Sequence, residues 1–137
     1  MQEYKGENKI VLRGQGLGEP VRSHQNHGED YYVVPLRVPR LSGTDDVLNI
    51  VTADPDPVLW TPGNWVTVQG EVRSYNNRSG TGSKLVITVL ARSAALDPVE
   101  EGENRLVLAG VLCRKPVARR TPLGREICDL LLAVNRP

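Results

Sequence analysis

The 137-residue sequence predicts an all-β fold: one complete five-stranded unit, a small barrel or open sandwich, followed by the opening of a second unit like it. Three observations predict this. Apolar residues in 1–98 alternate with period two between clusters of Gly, Pro, Asn and Asp, and nowhere keep the 3.6-residue period and caps of a helix. Asn8-Lys-Ile-Val-Leu-Arg-Gly14 returns as Asn104-Arg-Leu-Val-Leu-Ala-Gly110, an offset of 96 residues. That offset runs ungapped through Pro20 and Pro116, Gly28 and Gly124, Leu36 and Leu132, and Arg40 and Arg136. Such a period is too long for a solenoid repeat and suits one small domain. Finally, five short strands in about ninety residues is the count of a small barrel or open sandwich.

The expected strands are 8–14, 30–38, 46–53, 65–75 and 84–92, separated by the turn-rich segments GQGLGEP, PRLSGTD, DPDPVLWTPGN and NNRSGTGS. Alternation assigns their faces. Tyr32, Val34, Leu36 and Val38 share one side, and their repeat counterparts Cys128, Leu130, Leu132 and Val134 are apolar too, so this is the core side. Strand 65–75 turns Val66, Val68 and Val72 inward, with Gly70 permitting a bend, and Trp65, Thr67, Gln69, Arg73 and Tyr75 outward. Strand 84–92 is expected to bury Leu85, Ile87 and Val89 and to expose Lys84, Val86 and Thr88. Trp60 reads as a core plug, and Cys113 and Cys128 as small core hydrophobes on opposite arms of the C-terminal hairpin.

Residues 1–96 form the complete domain, the acidic segment 97–103 with Pro98 and Gly102 is a linker, and 104–137 hold the first two strands of the partial repeat. Three readings stay open for the shortened second unit: a chain cut short in preparation, a hairpin packed on the first domain, or strands completed by another chain. Charge follows the division. From Asn104 onward seven Lys/Arg face two Asp/Glu, a net of +5, whereas 1–103 carry ten against fourteen, a net of −4.

Several function classes are excluded. No apolar run approaches the roughly 18 residues that span a bilayer, and MQEYKGENK is no signal peptide, so a soluble cytoplasmic protein is expected. His24, His27 and two cysteines make no zinc spacing, and no metal or other cofactor is expected. Gly14-Gln-Gly-Leu-Gly18 lacks the glycine spacing and βαβ context of a dinucleotide site. No Ser or Cys lies near a plausible base, and Asp45, Asp46, Asp54 and Asp56 have no partner acid, so the chain is not read as an enzyme.

What remains is an outer β surface on which aromatic and basic residues interleave. Tyr31, Trp65 and Tyr75 offer rings for stacking bases, and Arg37, Arg73, Arg78 and Lys84 offer charge for phosphates. Arg114, Lys115, Arg119 and Arg120 form a denser basic stretch in the second unit. The polar loop 76–83, with one cation at its tip, suits an arm that closes over a strand. Each has a plainer reading: Trp65 covers the barrel mouth, and the arginines are solvated.

Asn104-Arg-Leu-Val-Leu-Ala-Gly-Val-Leu-Cys-Arg-Lys-Pro116, Thr121-Pro-Leu-Gly124 and Leu130-Leu-Leu-Ala-Val-Asn-Arg136 resemble the opening strands of bacterial single-stranded DNA-binding proteins and of their relative primosomal replication protein N. The N-terminal unit carries the same start at Asn8 to Gly14, then the later barrel pattern at Pro62 to Arg73 and Lys84-Leu-Val-Ile. The resemblance implies a five-stranded OB-fold barrel followed by the first β-hairpin of an incomplete OB-like unit. It further implies a non-catalytic binder of single-stranded DNA with little sequence preference, working as a homodimer or higher oligomer with other replication proteins in replication, recombination or repair. It places Trp65, Arg73 and Tyr75 on the strand leading into a DNA-gripping loop, here 76–83. RNA as ligand stays open, because stacking does not distinguish it. The rival reading is a protein-interaction or strand-exchanging module, in which the 104–137 hairpin docks on a partner.

Overall fold

A computed structural model describes residues 6–76 and 85–135, and every regular element among them is a β-strand. The strands are β1 (Glu7–Gly16), β2 (Val21–Asn26), β3 (Glu29–Pro39), β4 (Asp45–Thr52), β5 (Trp65–Asn76), β6 (Leu85–Leu96), β7 (Glu103–Ala109), β8 (Val111–Leu112), β9 (Val117–Arg120), β10 (Glu126–Asp129) and β11 (Leu132–Ala133). The main sheet runs β2-β3-β4-β6-β5-β1-β7, and an additional β3–β1 pairing closes β3, β4, β6, β5 and β1 into a ring. The ring pairings are antiparallel except β4–β6, where Ile50 and Val89 meet in parallel. Two compact units result: Lys9–Leu106 holds the ring, and the described residues up to Asn8 and from Val107 on form the other.

The ring's interior is the expected apolar face. Ile10 and Leu12 of β1, Val34, Leu36 and Val38 of β3, Ile50, Val66, Val68 and Val89 are buried, with Leu59 and Trp60 among them. Trp60 comes from the β4–β5 connection, which Pro55, Pro57 and Pro62 keep free of helix. Asx-type bonds shape this connection: Asp54 accepts from the Asp56 amide and Asp56 from the Val58 amide, both at 3.0 Å. The indole of Trp60 donates to the Asp54 carbonyl at 2.9 Å, so its one polar atom is satisfied inside the core.

Gly70 meets more than a bend. The β5–β6 register slips there, with Gln69 opposite Ser93 but Gly70 opposite Ala91, which makes Arg92 the extra residue of a bulge. A Cβ on Gly70 would stand 2.9 Å from the Leu90 carbonyl carbon.

Three expectations are corrected. Residues 21–26, outside the expected strands, form β2; the VRSHQN side chains are all exposed and so carry no apolar alternation. Its hairpin with β3 turns on His27 and Gly28, both at positive φ (52° and 78°), the requirement of a type I′ turn. Leu85 and Ile87 are exposed rather than buried, because the start of β6 outruns the barrel and of these three residues Val89 alone reaches the core. Cys113 and Cys128 are exposed free thiols, since the C-terminal unit has too few layers to enclose them.

The C-terminal unit repeats part of the register of the barrel's opening strands, without the β2 bulge: Arg120 faces Glu126, whereas its counterpart His24 faces Tyr31. Val21↔Val33 and Arg22↔Tyr32 recur 96 residues later as Val117↔Asp129 and Ala118↔Cys128. Gln15↔Arg37 and Gly16↔Leu36 recur as Val111↔Ala133 and Leu112↔Leu132. Even the bond that follows β1, Leu17 N–H to Pro35 O at 3.0 Å, recurs as Cys113 N–H to Leu131 O at 2.9 Å.

Candidate nucleic-acid interface

Cross-strand register decides which outward residues become neighbours. Arg37 of β3 lies opposite Gln15 of β1, and Gln15 lies opposite Trp65 of β5, so the three form one row across the ring closure. The Arg37 guanidinium donates to the Gln15 side-chain oxygen and lies 3.7 Å from the Asp45 carboxylate. Gln15 in turn donates to the Gly63 carbonyl at 3.0 Å, tying the row to the loop that leads into Trp65. Sequence reading found Arg37 and Trp65 but not Gln15, whose place depends on β1 reaching β3.

Trp65 is half-buried and borders an open cleft of about 430 Å³ lined by Gly63, Asn64, Leu96, Asp97, Pro98 and Glu100. This side of the ring is acidic. A hydrogen bond from the Thr67 hydroxyl at 2.6 Å, then one from the Val99 amide, hold the Asp97 carboxyl below the usual range, with Arg13 at 3.9 Å adding to them. Arg13 itself reaches the Glu103 carboxylate at 3.2 Å and the Glu101 carbonyl at 2.8 Å.

At the other end of β5, ten residues or about 30 Å from Trp65, Tyr75 is exposed opposite Val86. Between them Arg73 is largely enclosed and ion-paired with Glu71, which also receives Arg92 at 3.0 Å. Burial works to raise the Glu71 carboxyl, but the Arg92 hydrogen bond and the charges of Arg73 and Arg92 outweigh it and hold it low. Its contribution to stability is therefore present above the ordinary glutamate value of about 4.3 and lost as pH falls through its lowered folded value. Thermal melts from pH 6 to pH 3 are expected to show this loss, and Glu71→Gln to lower the melting temperature at pH 7 while flattening the acid limb. A variant with an unchanged acid limb would remove Glu71 from the account.

Tyr31 is no isolated platform. His24 of β2 stacks on it, ring centroids 5.2 Å apart and planes 14° from parallel, and the Tyr31 hydroxyl points to Glu29 at 3.4 Å. His24 was missed because β2 was missed; the His27-Gly28 turn was the available signal. Arg78, Lys84 and all of the expected loop 76–83 after Asn76 lie outside the described residues.

In the C-terminal unit Arg119 pairs with Asp129 at 2.7 Å and Arg120 with Glu126 at 3.1 Å across β9–β10. Arg114 and Lys115 are exposed between β8 and β9, with no ion pair among the described residues. The basic stretch thus splits into two paired and two open cations.

A closed five-stranded ring with an elongated β5–β6 hairpin, a capping β4–β5 connection and an aromatic, basic outer face defines the OB-fold class. No protein-family model matches the chain, and no curated protein matches it. Among solved structures it resembles the wild-type single-stranded DNA-binding protein of Thermus aquaticus, with TM-score 0.77, 22% identity and coverage of 96% of this chain and 70% of that one. It also resembles the N-terminal domain of the PriB protein of Thermoanaerobacter tencongensis, described as dimeric, at TM-score 0.53 and 32% identity, covering 67% of this chain and 98% of that one. The chain belongs to the PriB-like family of OB-fold proteins, and its likeness to the Thermus protein shows the shared fold.

Proposed function

We propose that the chain binds single-stranded DNA on the outer face of its barrel, without catalysis and with little sequence preference, in replication, recombination or repair. The observation that carries this reading is β5 itself: one strand presents Trp65, set in a row with Arg37, and exposed Tyr75 on the same outward parity. Bases stack on the two rings, and the backbone passes on the Arg37 side of Trp65, away from Asp97 and Glu100, which repel phosphate. Arg78 and Lys84, and in the second unit Arg114 and Lys115, offer further charge for phosphates. Arg119 and Arg120 contribute less, because their charges are partly met by Asp129 and Glu126. Residues 1–96 make the binding domain, 97–103 its linker and 104–137 the partial repeat, and the protein works as an oligomer of such barrels.

The test is titration with oligo-dT across a salt series, read by intrinsic Trp fluorescence and by anisotropy of a labelled oligonucleotide, with duplex and oligo-U as controls. Expected is single-strand-selective binding whose log K falls by about 0.7 per phosphate neutralised for each decade of salt. Tyr75→Ala and Trp65→Ala are each expected to weaken binding roughly 5- to 150-fold, the equivalent of about 1–3 kcal/mol per stacked base. Absence of binding at low salt sinks the proposal; equal affinity for oligo-U makes the ligand single-stranded nucleic acid in general.

A further inference from the structure

We infer that the β2–β3 hairpin is a pH-sensitive arm of the nucleic-acid site, in which His24, stacked on Tyr31, extends the base platform and, once protonated, adds a phosphate contact. The inference rests on the single-strand reading above. Tyr31 shares the outward parity of Arg37 on β3, six residues or about 20 Å along the strand. Between them on that face lie Val33 and Pro35, neither ring-bearing platform nor charge. The hairpin therefore carries the next aromatic and ionisable groups that a strand leaving the Trp65–Gln15–Arg37 row meets along β3.

Cross-strand register sets His24 opposite Tyr31, just past the bulge at Ser23. The ring centroids are 5.2 Å apart, and His24 is exposed whereas Tyr31 is half-buried, so the imidazole is the accessible member of the pair. Its Nδ1 shares a hydrogen bond with the Ser23 hydroxyl at 3.1 Å, and its Nε2 has no partner among the described residues. As an edge strand, β2 pairs with β3 alone among the described residues. The charged and titratable groups facing His24 thus come from this hairpin: Arg22, His27, Glu29, Asp30 and Tyr31. Arg22 meets Asp30 at 3.1 Å, and Glu29 accepts from the Tyr31 hydroxyl at 3.4 Å. From Val21 to Tyr31 the formal charge is −1 with both histidines neutral and +1 with both protonated. Histidine is the side chain that changes charge between pH 8 and pH 5, so the arm turns from repelling phosphate to attracting it as pH falls. A cation over a tyrosine face is attracted to it, so protonation keeps the stack.

Anisotropy of oligo-dT carrying a pH-insensitive label, titrated with the full chain at 0.1 M salt between pH 8 and pH 5.5, tests this. Affinity is expected to rise about fivefold as pH falls, because one more phosphate neutralised adds about 0.7 to log K at one decade below 1 M salt. His24→Phe keeps a ring on Tyr31 and removes the proton; it should match the parent at pH 8 and lose the rise. His24→Ala should weaken binding about fivefold or more at pH 8, the low end of the effect of one stacked base. His27→Asn, which tolerates the positive φ of the turn, should keep the rise. Oligo-dT binding that is independent of pH overturns the inference and leaves the single-strand reading standing. So does a rise that survives His24→Phe, or a His24→Ala protein that binds as the parent does. No binding at either pH, even at low salt, overturns both.

Discussion

Trp60→Ala is expected to remove about 3–5 kcal/mol of stability, a large part of the 5–15 kcal/mol typical of a domain. The ring is 1% exposed at the mouth of the barrel and touches the core from the β4–β5 connection, so truncation leaves a cavity that strands hydrogen-bonded on both sides cannot collapse to fill. It also strips the Asp54 carbonyl of its indole donor and loosens the Asx turns that depend on this connection. At about 4–8 °C per kcal/mol for a domain of this size, the melting temperature should fall by well over 10 °C. Trp60→Phe keeps most of the volume and loses only the hydrogen bond, so it should cost clearly less. Equal losses for Ala and Phe would mean that the bond, and not the plug, holds the site. Differential scanning calorimetry on the two variants decides.

Gly14→Ala is expected to be nearly as damaging although it adds one methyl group. A Cβ at 14 would stand 2.9 Å from the Arg37 carbonyl carbon and closer still to its oxygen, with Val38 Cγ2 at 3.2 Å. The obstacle is backbone, so β1 and β3 must separate where Gln15 and Gly16 meet Arg37 and Leu36, the pairing that closes the ring. The cost should reach or exceed the upper end of the about 1–3 kcal/mol usual for overpacking. Hydrogen exchange at Leu17, whose amide donates to Pro35 beside this closure, should accelerate more than exchange at the β5–β6 ladder. Gly110→Ala is the control. Gly110 meets the Ala133 carbonyl in the same way, its hypothetical Cβ 3.0 Å from that carbon, so it should perturb the C-terminal unit and spare the ring. A Gly14→Ala protein with unchanged denaturation midpoint would show that the ring closes without this approach.

These two glycines also mark what could be read without a structure. The five ring strands were legible to within about four residues at each end, because inward and outward positions alternate in Leu12, Val34, Leu36, Val66 and Val68 wherever one face is packed and the other wet. The glycine in the repeated opening motif was visible but its purpose was not, since the need for it arises from Arg37, 23 residues away in sequence. Strand β2 escaped because a strand with no buried face has no period to detect. Leu85 and Ile87 misled for the opposite reason: their alternation is genuine, but the hairpin carries it past the end of the core.

The interface was legible as a set of residue types and illegible as a geometry. Trp65, Tyr75 and Arg37 were identifiable from strand parity. That Arg73 is enclosed with Glu71 and Arg92, that His24 stacks on Tyr31, and that Asp97 and Glu100 border Trp65 all follow from cross-strand register and a bulge. The Glu71–Arg92 and Trp65–Asp97 contacts join segments twenty or more residues apart and leave no local trace, whereas His24 and Tyr31 are joined by the His27-Gly28 turn. For Arg73 the consequence is practical: its replacement bears on the stability of the β5–β6 hairpin as well as on any phosphate contact.

The repeated register also bears on how the barrel is made. While the chain is still unfolded, β1 and the β7–β8 segment are two candidates for one slot, since each carries the strand pattern that pairs with β3 and lies beside β5. On a ribosome β1 emerges first and can pair with β3 about twenty residues later, long before its rival exists. In a denatured chain released all at once that head start vanishes, and the wrong copy can enter first. Order of synthesis then favours the native pairing.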